Sequence, residues 1–493
     1  MRKMFMSSAL FAALSFSSSF CATIPFYTAA LDSAKSQLNR LTTSMGTNYT
    51  LFPRTINTNG TVSSVTYSDW TSGFFPGCLW LMFKYTGDTQ WKTKARSWTD
   101  NLQNASTVND HDVGFRIMSS YGKGLEFQTA TQTKSDTAVM MRAARTLIGR
   151  YNSTVKAIKS WDTYTKNGVT YTYPVIIDNM MNLELLCWAT ANSKDSSFYK
   201  IAVSHSNTTK KNHFRTNYSS YHLVAYDAAS GAVIKKMTVQ GYADESSWAR
   251  GQAWGLYGYT MMYRYSKDTA YLNQACHIAD YVISRLPADL VPYWDFDAPM
   301  TPTPSRDASA AAIYASALIE LSGFTAGATS QGYYQKAKAI LQTLASSSYT
   351  AAPNTNGNFI LMHSTGNHPS GTEIDVPINY TDYYYLEALL RLKTIEESTA
   401  IVSGTNGSTL TERNDGLRIV TAAGAGIVHV CAGGTPQSPA MIRVCDIRGR
   451  TVMTSVSQES GTTLDFSGLP NGCYAIQATA NGQTFGAARY VRQ

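Results

Sequence analysis

Two aspartates have neighbours that do not suit a solvated charge. Asp178 follows Val-Ile-Ile and precedes Asn-Met-Met, in a stretch that we expect to form a helix with apolar residues on all sides. A carboxyl group in such a place is shielded from water, which favours its protonated form and raises its pKa. A raised pKa is what a general acid needs near neutral pH. Asp178 is therefore a candidate catalyst; the alternative is a buried structural carboxylate paired with an arginine or with backbone amides.

Asp112 is the second candidate carboxylate. It stands beside His111 and opens an apolar run that is typical of a helix. Aspartate commonly caps the start of a helix, so a structural role stays open beside the catalytic one. We expect Asp69 to be a cap, and Asp244 and Glu245 to occupy the first turn of a later helix, where the helix dipole favours acidic residues.

Arg250 and Trp254 are four residues apart in a helical stretch, so they share one face of the helix. A guanidinium can hold a carboxylate through two parallel hydrogen bonds, and a flat indole can stack on a sugar ring. The pair therefore predicts a site for a sugar acid. The alternative is a buried helix with one surface arginine.

Other chemistries lack their usual residues. The chain has eight histidines but no His-Glu-x-x-His or comparable cluster, and it has no Gly-x-Ser-x-Gly turn and no glycine-rich phosphate loop. We therefore expect neither a metal nor an organic cofactor. The net charge of +8 is mild and its lysines cluster only as doublets, which argues against a nucleic-acid partner.

The N-terminus has the layout of a secretory signal peptide over residues 1–22: Arg2 and Lys3, then an apolar run at 6–20, then small or polar residues. Cleavage near Cys21 or Ala22 and lipid attachment at Cys21 both stay open. No later apolar run is long enough to span a membrane. We expect Cys78, Cys187 and Cys276 to be buried thiols. One disulfide stays open among three further cysteines: Cys431, Cys445 and Cys473.

One local pattern recurs along the chain: a capping residue, an aromatic residue three positions later, and then a run with helical period. The four capping positions are Asp88, Asp195, Asp268 and Ser330. Each follows a long apolar helix candidate, at 71–85, 175–191, 246–265 and 307–321, and further candidates lie at 135–151 and 380–393. Helices that are apolar on all sides must be covered on all sides. The pattern therefore predicts a toroid of αα-hairpins, an all-α (α/α) barrel over residues 23–397 with a central cleft.

The composition changes beyond this barrel. Residues 398–416 contain a Gly-, Ser-, Thr- and Asn-rich stretch that is typical of a linker. Short β-type runs separated by turn dipeptides then predict a small β-sandwich at 417–493.

Six blocks of sequence, in order, resemble the unsaturated glucuronyl hydrolases, glycoside hydrolase family 88. They are His111-Asp-Val-Gly-Phe, Ser160-Trp-Asp, Ile177-Asp-Asn-Met-Met-Asn-Leu, Lys211-Asn-His-Phe-Arg-Thr-Asn-Tyr-Ser-Ser-Tyr-His, Gln240-Gly-Tyr-Ala-Asp-Glu-Ser and Trp248-Ala-Arg-Gly-Gln-Ala-Trp. The resemblance implies an (α/α)6 barrel and an enzyme that hydrates the double bond of a 4,5-unsaturated uronic acid at the end of a lyase-generated glycosaminoglycan oligosaccharide.

The same resemblance implies roles for individual residues. Asp178 becomes the general acid and base, and Asp112 its partner carboxylate. The residues implied to bind the sugar are His111, His222, Gln240, Arg250 and Trp254, with Trp70 and Trp161 as walls. The loop at 363–373 has no lysine or arginine, which favours unsulfated or lightly sulfated substrates such as those from hyaluronan or chondroitin.

Three other functions remain open at this stage. The unsaturated rhamnogalacturonyl hydrolases share the barrel, but they typically have Gly at the position of Ala249 and Asn-Gly at Gln252-Ala253. An inverting glycosidase would use the same carboxylates on saturated sugars. A glycan-binding surface protein would need neither carboxylate.

The last 75 or so residues resemble the C-terminal sorting domain of type IX secretion, through Val444-Cys-Asp-Ile-Arg-Gly-Arg-Thr-Val and Leu469-Pro-Asn-Gly-Cys-Tyr-Ala-Ile. This implies contact with secretion machinery and a location in the periplasm, at the cell surface or outside the cell. An accessory sandwich such as a carbohydrate-binding module is the alternative.

Overall fold

The computed structural model describes residues 24–403 and, in the C-terminal part, 417–421, 427–432, 441–446, 450–456, 462–470, 472–480 and 483–492. The expected signal peptide and residues 404–416 of the expected linker lie outside the described residues. No helix within the described ranges combines the length and the apolarity needed to cross a bilayer.

The described residues contain twelve α-helices, α1 to α12 in chain order. They are Phe26–Met45, Phe74–Thr86, Thr89–Asp100, Val113–Ile117, Ala130–Ile148, Asn179–Ser193, Ser196–Asn212, Ala249–Ser266, Thr269–Arg285, Ala308–Ser322, Gly327–Leu344 and Asn379–Ser403. The last helix continues past Glu397, into the segment expected to be linker.

The even-numbered helices form an inner ring and the odd-numbered helices lie outside it. Each inner helix contacts the next one. α4 contacts α6 directly and contacts α2 through its π-helical continuation, Met118–Gly122. α12 contacts α2 and so closes the ring. Every residue of α10 is buried, and its many alanines let its neighbours approach closely. The outer α9 instead buries one stripe, including Tyr271, Ile278 and Val282. This is the (α/α)6 barrel that the hairpin pattern and the resemblance predict.

Three of the predicted helix starts are confirmed. Asp88, Asp195 and Asp268 each accept a hydrogen bond from the backbone N–H two residues later, at 2.8 to 2.9 Å. The prediction for Ser330 is wrong. Helix α11 already begins at Gly327, because the backbone N–H of Ser330 donates to the carbonyl of Ala326 and so lies inside the first turn.

Short strands connect the helices. Strands β1 to β11 are Phe52–Ile56, Val62–Val65, Tyr151–Asn152, Ala157–Ile158, Tyr164–Lys166, Val169–Tyr171, Pro174–Ile176, Leu223–Tyr226, Val233–Met237, Ser364–Asn367 and Thr372–Val376. β7, β8 and β9 form an antiparallel sheet, and β10 and β11 form a hairpin. The single helix predicted at 175–191 is therefore wrong at its start. Its β-branched Val-Ile-Ile segment pairs with β8, and the helix begins only at Asn179.

The C-terminal part is all β, as predicted. Strands β12 to β18 are Leu417–Thr421, Ile427–Ala432, Met441–Asp446, Thr451–Val456, Thr462–Asp465, Gly472–Ala480 and Gln483–Arg492. They form a three-stranded sheet and a four-stranded sheet, and their described core contains Ile442, Val444, Leu464, Phe466 and Ile476. Cys445 is a free, buried thiol. The side chains of Cys431 and Cys473 lie outside the described residues.

Candidate active site

Three candidate residues meet at one edge of the β7–β8–β9 sheet. Ile176, at the end of β7, pairs with Leu223, at the start of β8. β8 and β9 are also antiparallel, so the end of β9 lies at the same edge. Asp178, His222 and Gln240 occupy chain positions just beyond these strand ends. The pairing of three short strands, and not helical periodicity, therefore places these side chains side by side.

Close packing between α4 and α6 positions the two aspartates. The backbone N–H of Phe115 donates to Asn182 Oδ1 at 2.7 Å, and a Cβ atom at Gly114 would lie only 2.5 Å from the same oxygen. Only glycine allows this approach. Asp112 and Asp178 immediately precede these two helices, so both carboxyl groups reach the same cleft.

Within the described residues, the helix cap expected of Asp112 and the arginine ion pair expected of Asp178 are both absent. Neither side chain caps the helix that follows it. Asp178 Oδ2 is buried and accepts no hydrogen bond from any described group. The Arg250 guanidinium is bonded to other partners. A buried carboxyl oxygen without a donor is costly to keep in a purely structural role, and it is suited to a proton transfer.

The cleft has a volume of about 250 Å³. Six predicted site residues line it: Trp70, His111, Asp112, Trp161, Asp178 and Gln240. The other lining residues are Arg54, Ile176, Val239, Gly366, Asn367, Thr372, Glu373 and Tyr380. A second cavity, of about 290 Å³, lies near the C-terminal ends of the inner helices, but it holds neither aspartate and its charges, such as Lys123 and Glu387, are paired with one another.

The remaining three predicted site residues, His222, Arg250 and Trp254, are fully buried behind the cleft wall. His222 Nε2 lies 3.6 Å from Asp178 Oδ2. The indole N–H of Trp254 also faces Asp178, and it lowers the pKa of that carboxyl slightly against the larger effect of burial. Both residues therefore contact the candidate acid itself.

Arg250 does not present the free guanidinium that its helix position suggests. Only 1% of its surface is exposed, and its ion pair with Asp307 measures 2.9 Å. It also donates to the backbone carbonyls of Thr365 and Gly366. In this arrangement it supports the β10–β11 hairpin, and the hairpin in turn forms one wall of the cleft.

Burial sets the protonation of the site. It raises the pKa of Asp178 to about 7, in spite of the opposing charge of Arg250. It also raises the pKa of Asp112 well above its usual range, with further contributions from the negative charges of Asp110 and Asp178. Burial lowers the pKa of His222 well below its usual value. The cleft therefore combines an acid that is partly protonated near neutral pH with an uncharged imidazole.

Among the unpredicted residues of the cleft lining, Arg54 and Tyr380 carry polar groups and lie outside every sequence block discussed above. Arg54 binds Glu373 through two hydrogen bonds, at 2.6 and 2.8 Å, and Asp69 through a third at 2.7 Å. The Tyr380 hydroxyl is buried at the cleft without a hydrogen-bond partner in the described structure, and its ring lies 5.0 Å from that of Trp70. Tyr380 is one of four tyrosines at 380–385 in a predicted helix, and nothing in the sequence distinguishes it from the other three.

Three minor expectations can also be compared with the structure. Asp69 does cap its turn, because it accepts from the backbone N–H of Thr71 at 2.8 Å. Asp244 and Glu245 do not occupy the first turn of a helix, since α8 begins at Ala249. Asp244 instead accepts from the backbone N–H of Thr238 at 3.0 Å. Among the residues that the structure describes, no group of three or more side chains is arranged to hold a metal ion.

Comparison with known proteins adds three observations. The family described as Glycosyl Hydrolase Family 88 matches residues 50–406, and the Secretion system C-terminal sorting domain matches residues 425–487. The chain is 49% identical over 347 residues to an "Unsaturated glucuronyl hydrolase" of Formosa agariphila, which covers 69% of this chain and 84% of that protein. It is 30% identical over 345 residues to an "Unsaturated chondroitin disaccharide hydrolase" of Streptococcus pyogenes, which covers 69% and 85%.

Solved structures give the same result. A crystal structure of an "unsaturated glucuronyl hydrolase specific for heparin" superposes with a TM-score of 0.71 at 42% identity, over 76% of this chain and 98% of that one. The enzyme from Bacillus sp. GL1 superposes with a TM-score of 0.69 at 30% identity, over 74% of this chain and 97% of that one.

Proposed function

This chain belongs to glycoside hydrolase family 88 and is an unsaturated glucuronyl hydrolase, and we propose that Asp178 is its general acid and base. The observation that carries the assignment is the buried Asp178 carboxyl at the cleft wall. Burial raises its pKa to about 7, and its Oδ2 atom accepts no hydrogen bond from a described group. A large share of this carboxyl is therefore still protonated near neutral pH and available to a substrate.

The substrate end is a vinyl ether conjugated to a carboxylate, with a double bond between C4 and C5. In the proposed reaction the Asp178 carboxyl gives its proton to C4, and positive charge develops at C5 and the ring oxygen. A water molecule then adds to C5, and the Asp178 carboxylate takes the proton that this water loses. The net change is addition of one water across the double bond, and Asp178 returns to its starting state.

The product of hydration is a hemiketal at C5. It opens by breaking the bond between C5 and the ring oxygen, which leaves a ketone at C5 and a hemiacetal at C1. Collapse of this hemiacetal releases the remaining sugar from C1. Glycosidases that place two carboxylates around the anomeric carbon work differently, since here the proton goes to a ring carbon.

We assign the other cleft residues to binding. Asp112, whose pKa is also raised and which lines the cleft with Asp178, is assigned to contact sugar hydroxyls. Trp70 and Trp161 provide aromatic walls, and Gln240 and His111 provide polar groups. His222, Arg250 and Trp254 support the cleft from behind it.

The charges of the cleft favour an unsulfated or lightly sulfated oligosaccharide, such as one from hyaluronan or chondroitin. Arg54 is the one cationic side chain among the described residues that line the cleft. Its guanidinium is already bonded to Glu373 and Asp69. A sulfate group would therefore meet no free positive charge there.

The Asp178→Asn variant tests the assignment. We expect turnover of an unsaturated disaccharide, followed as loss of the ultraviolet absorbance of its conjugated alkene, to fall by about 10²-fold or more. Asp227→Asn, a change at an exposed turn that does not line the cleft, is the matched control and is expected to keep its activity. Near-normal turnover in Asp178→Asn would overturn the assignment of Asp178 as the general acid and base, whereas binding without turnover in the wild type would favour a glycan-binding role. Cleavage of saturated disaccharides would instead favour an inverting glycosidase.

The sorting-domain match supports export, and we infer that a signal peptide at 1–22 and the C-terminal domain at 417–493 together direct the chain through secretion machinery. This places the enzyme in the periplasm, at the cell surface or outside the cell. Fractionation of cells that produce the full chain, or a chain ending after Ser403, tests the inference. The shortened enzyme is expected to stay active but to remain inside the outer membrane.

A further inference from the structure

Asp307 is a buried carboxylate that takes no direct part in the proposed reaction. Its Oδ2 atom lies 2.9 Å from Nη1 of Arg250, and both side chains are almost fully buried. Its Oδ1 atom accepts from the backbone N–H groups of Ser309, at 3.1 Å, and Thr365, at 3.4 Å. One side chain therefore joins α8, the start of α10 and strand β10.

Arg250 links Asp307 to the wall of the cleft. Its guanidinium donates to the carbonyls of Thr365 and Gly366, and the Gly366 carbonyl also accepts from Gln240 Nε2 at 3.0 Å. The β10–β11 hairpin contributes four residues to the cleft lining: Gly366, Asn367, Thr372 and Glu373. The position of this wall thus depends in part on the orientation of the Arg250 guanidinium, which Asp307 holds through its ion pair.

Asp307 also affects the charge that the acid experiences. The positive charge of Arg250 lowers the pKa of Asp178, against the larger effect of burial. Burial would lower the pKa of Arg250 itself, but Tyr380, Asp307 and Asp178 raise it, so the guanidinium stays charged. A carboxylate 2.9 Å from that guanidinium opposes its field at Asp178, because the two charges have opposite signs.

Four other titratable groups lie near Asp178 and Arg250. His222 and Asp112 face Asp178, and Tyr380 and Glu373 face Arg250. His222 and Tyr380 remain uncharged near neutral pH, because burial lowers the pKa of His222 and raises that of Tyr380. Glu373 is paired with Arg54, and Asp112 is the same in wild type and in any Asp307 variant. A change at Asp307 therefore reaches Asp178 chiefly through Arg250.

We propose that Asp307 is a positioning residue for the hydration reaction: it orients Arg250 so that the guanidinium holds the β10–β11 hairpin against the cleft, and it limits the positive field at Asp178. The proposal rests on the proposed role of Asp178 as general acid. Asp307 is then expected to affect KM through the position of the hairpin, and to affect the pH dependence of kcat through the charge near Asp178.

Asp307→Asn is the first test, because it keeps the size of the side chain and removes its charge. The amide oxygen can face Arg250 or the two backbone N–H groups, but not both, so the support of the hairpin weakens. We expect KM to rise at least about threefold. Uncompensated Arg250 then stabilises the Asp178 carboxylate, so the alkaline limb of the kcat profile should move to lower pH by about half a unit or more.

Two further variants separate this role from a general loss of stability. Glu320→Gln removes a buried carboxylate from the pair with Arg264, near the C-terminal ends of the inner helices. We expect it to lower Tm and to leave KM and the alkaline limb unchanged. Asp307→Glu keeps the charge on a longer side chain. It should keep the wild-type alkaline limb and still raise KM, and it serves as the test if Asp307→Asn does not fold.

The proposal is overturned if Asp307→Asn keeps the wild-type KM and its alkaline limb does not move. It is also overturned if Glu320→Gln raises KM and moves the alkaline limb as Asp307→Asn is expected to do. If Asp307→Asn does not fold, wild-type KM in Asp307→Glu overturns it. Asp178→Asn is assayed in parallel. If Asp178→Asn stays active, the proposed function fails together with this inference. If Asp178→Asn is inactive while the Asp307 variants keep the wild-type KM and alkaline limb, the role of Asp307 is overturned and the proposed function stands.

Discussion

The imidazole of His222 faces the carboxyl of Asp178, with Nε2 3.6 Å from Oδ2. His222 Nδ1 accepts from the backbone N–H groups of Val239, at 3.2 Å, and Gln240, at 3.1 Å. A nitrogen that accepts two hydrogen bonds carries no proton, so the proton of the neutral ring is on Nε2 and points at Asp178. The acid thus has a neutral neighbour, which does not lower its pKa as an imidazolium would. A separation of 3.6 Å is too long for a strong hydrogen bond, so the carboxyl remains free for the substrate.

The pH dependence of turnover should reflect Asp178. Burial raises its pKa to about 7, and the proposed reaction needs its protonated form. We therefore expect kcat to be highest in mildly acidic solution and to fall as the pH rises through about 7. Measurement of kcat at saturating substrate across this range is the test.

The control for this profile is a second carboxylate of equal pKa. Burial also raises the pKa of Asp382 to about 7, but its oxygens bond the backbone N–H groups of Ile360 and Leu361 and do not line the cleft. Asp382→Asn should therefore leave the alkaline limb in place. A limb that disappears in Asp382→Asn would exclude Asp178 as its origin.

Asp178→Asn should gain stability relative to wild type as the pH rises. The pKa of Asp178 is raised from 3.8 to about 7 in the folded chain, so folding favours its protonated form. The Asp178 carboxyl therefore lowers the stability of the wild type between these two pH values, by about 1.4 kcal/mol for each unit, and this contribution is absent from the variant. We expect the Tm difference in favour of the variant to widen by at least about 2 °C from pH 4 to pH 8. Parallel Tm curves for the two proteins would show that the carboxyl is not buried as described.

Arg250→Ala should raise KM strongly and also lower Tm. The change leaves the buried Asp307 carboxylate without its partner and removes the donors to the Thr365 and Gly366 carbonyls. Loss of one partner of a buried ion pair typically costs about 3–5 kcal/mol. Gln240→Ala is the matched comparison, because Gln240 lines the cleft and makes one of the same contacts without a buried charge. It should raise KM with little change in Tm. An unchanged KM in Arg250→Ala would remove Arg250 from the support of the site.

Substrate preference is best measured with unsaturated disaccharides that differ only in sulfation. Arg54, the cation described in the cleft lining, is occupied by Glu373 and Asp69. We expect kcat/KM to be at least about tenfold higher for the unsulfated disaccharide, since a sulfate would be desolvated without a cationic partner. Glu373→Gln frees part of the Arg54 guanidinium and should narrow this difference. A preference for sulfated substrates in the wild type would contradict the proposed substrate class.

Local patterns in the sequence were sufficient to predict the barrel, the family and the raised pKa of Asp178. Apolar helices followed by aspartate-capped amphipathic ones predicted the ring of hairpins, because helical period and capping act within a few residues. The apolar neighbours of Asp178 predicted a carboxyl with a raised pKa, because burial follows from the residues beside it. The ordered blocks around Asp112, Asp178 and Arg250 were sufficient for the family.

Tertiary structure alone decided which side chains reach the cleft and which support it from behind. Arg250 is four residues from Trp254 on a helix face that the sequence suggests is open, yet a hairpin more than a hundred residues later covers it. Arg54 and Tyr380 join the cleft from opposite ends of the barrel sequence. Asp178 and His222 meet because two short strands pair. Such contacts join residues that are distant in the chain, and no local period or composition encodes them.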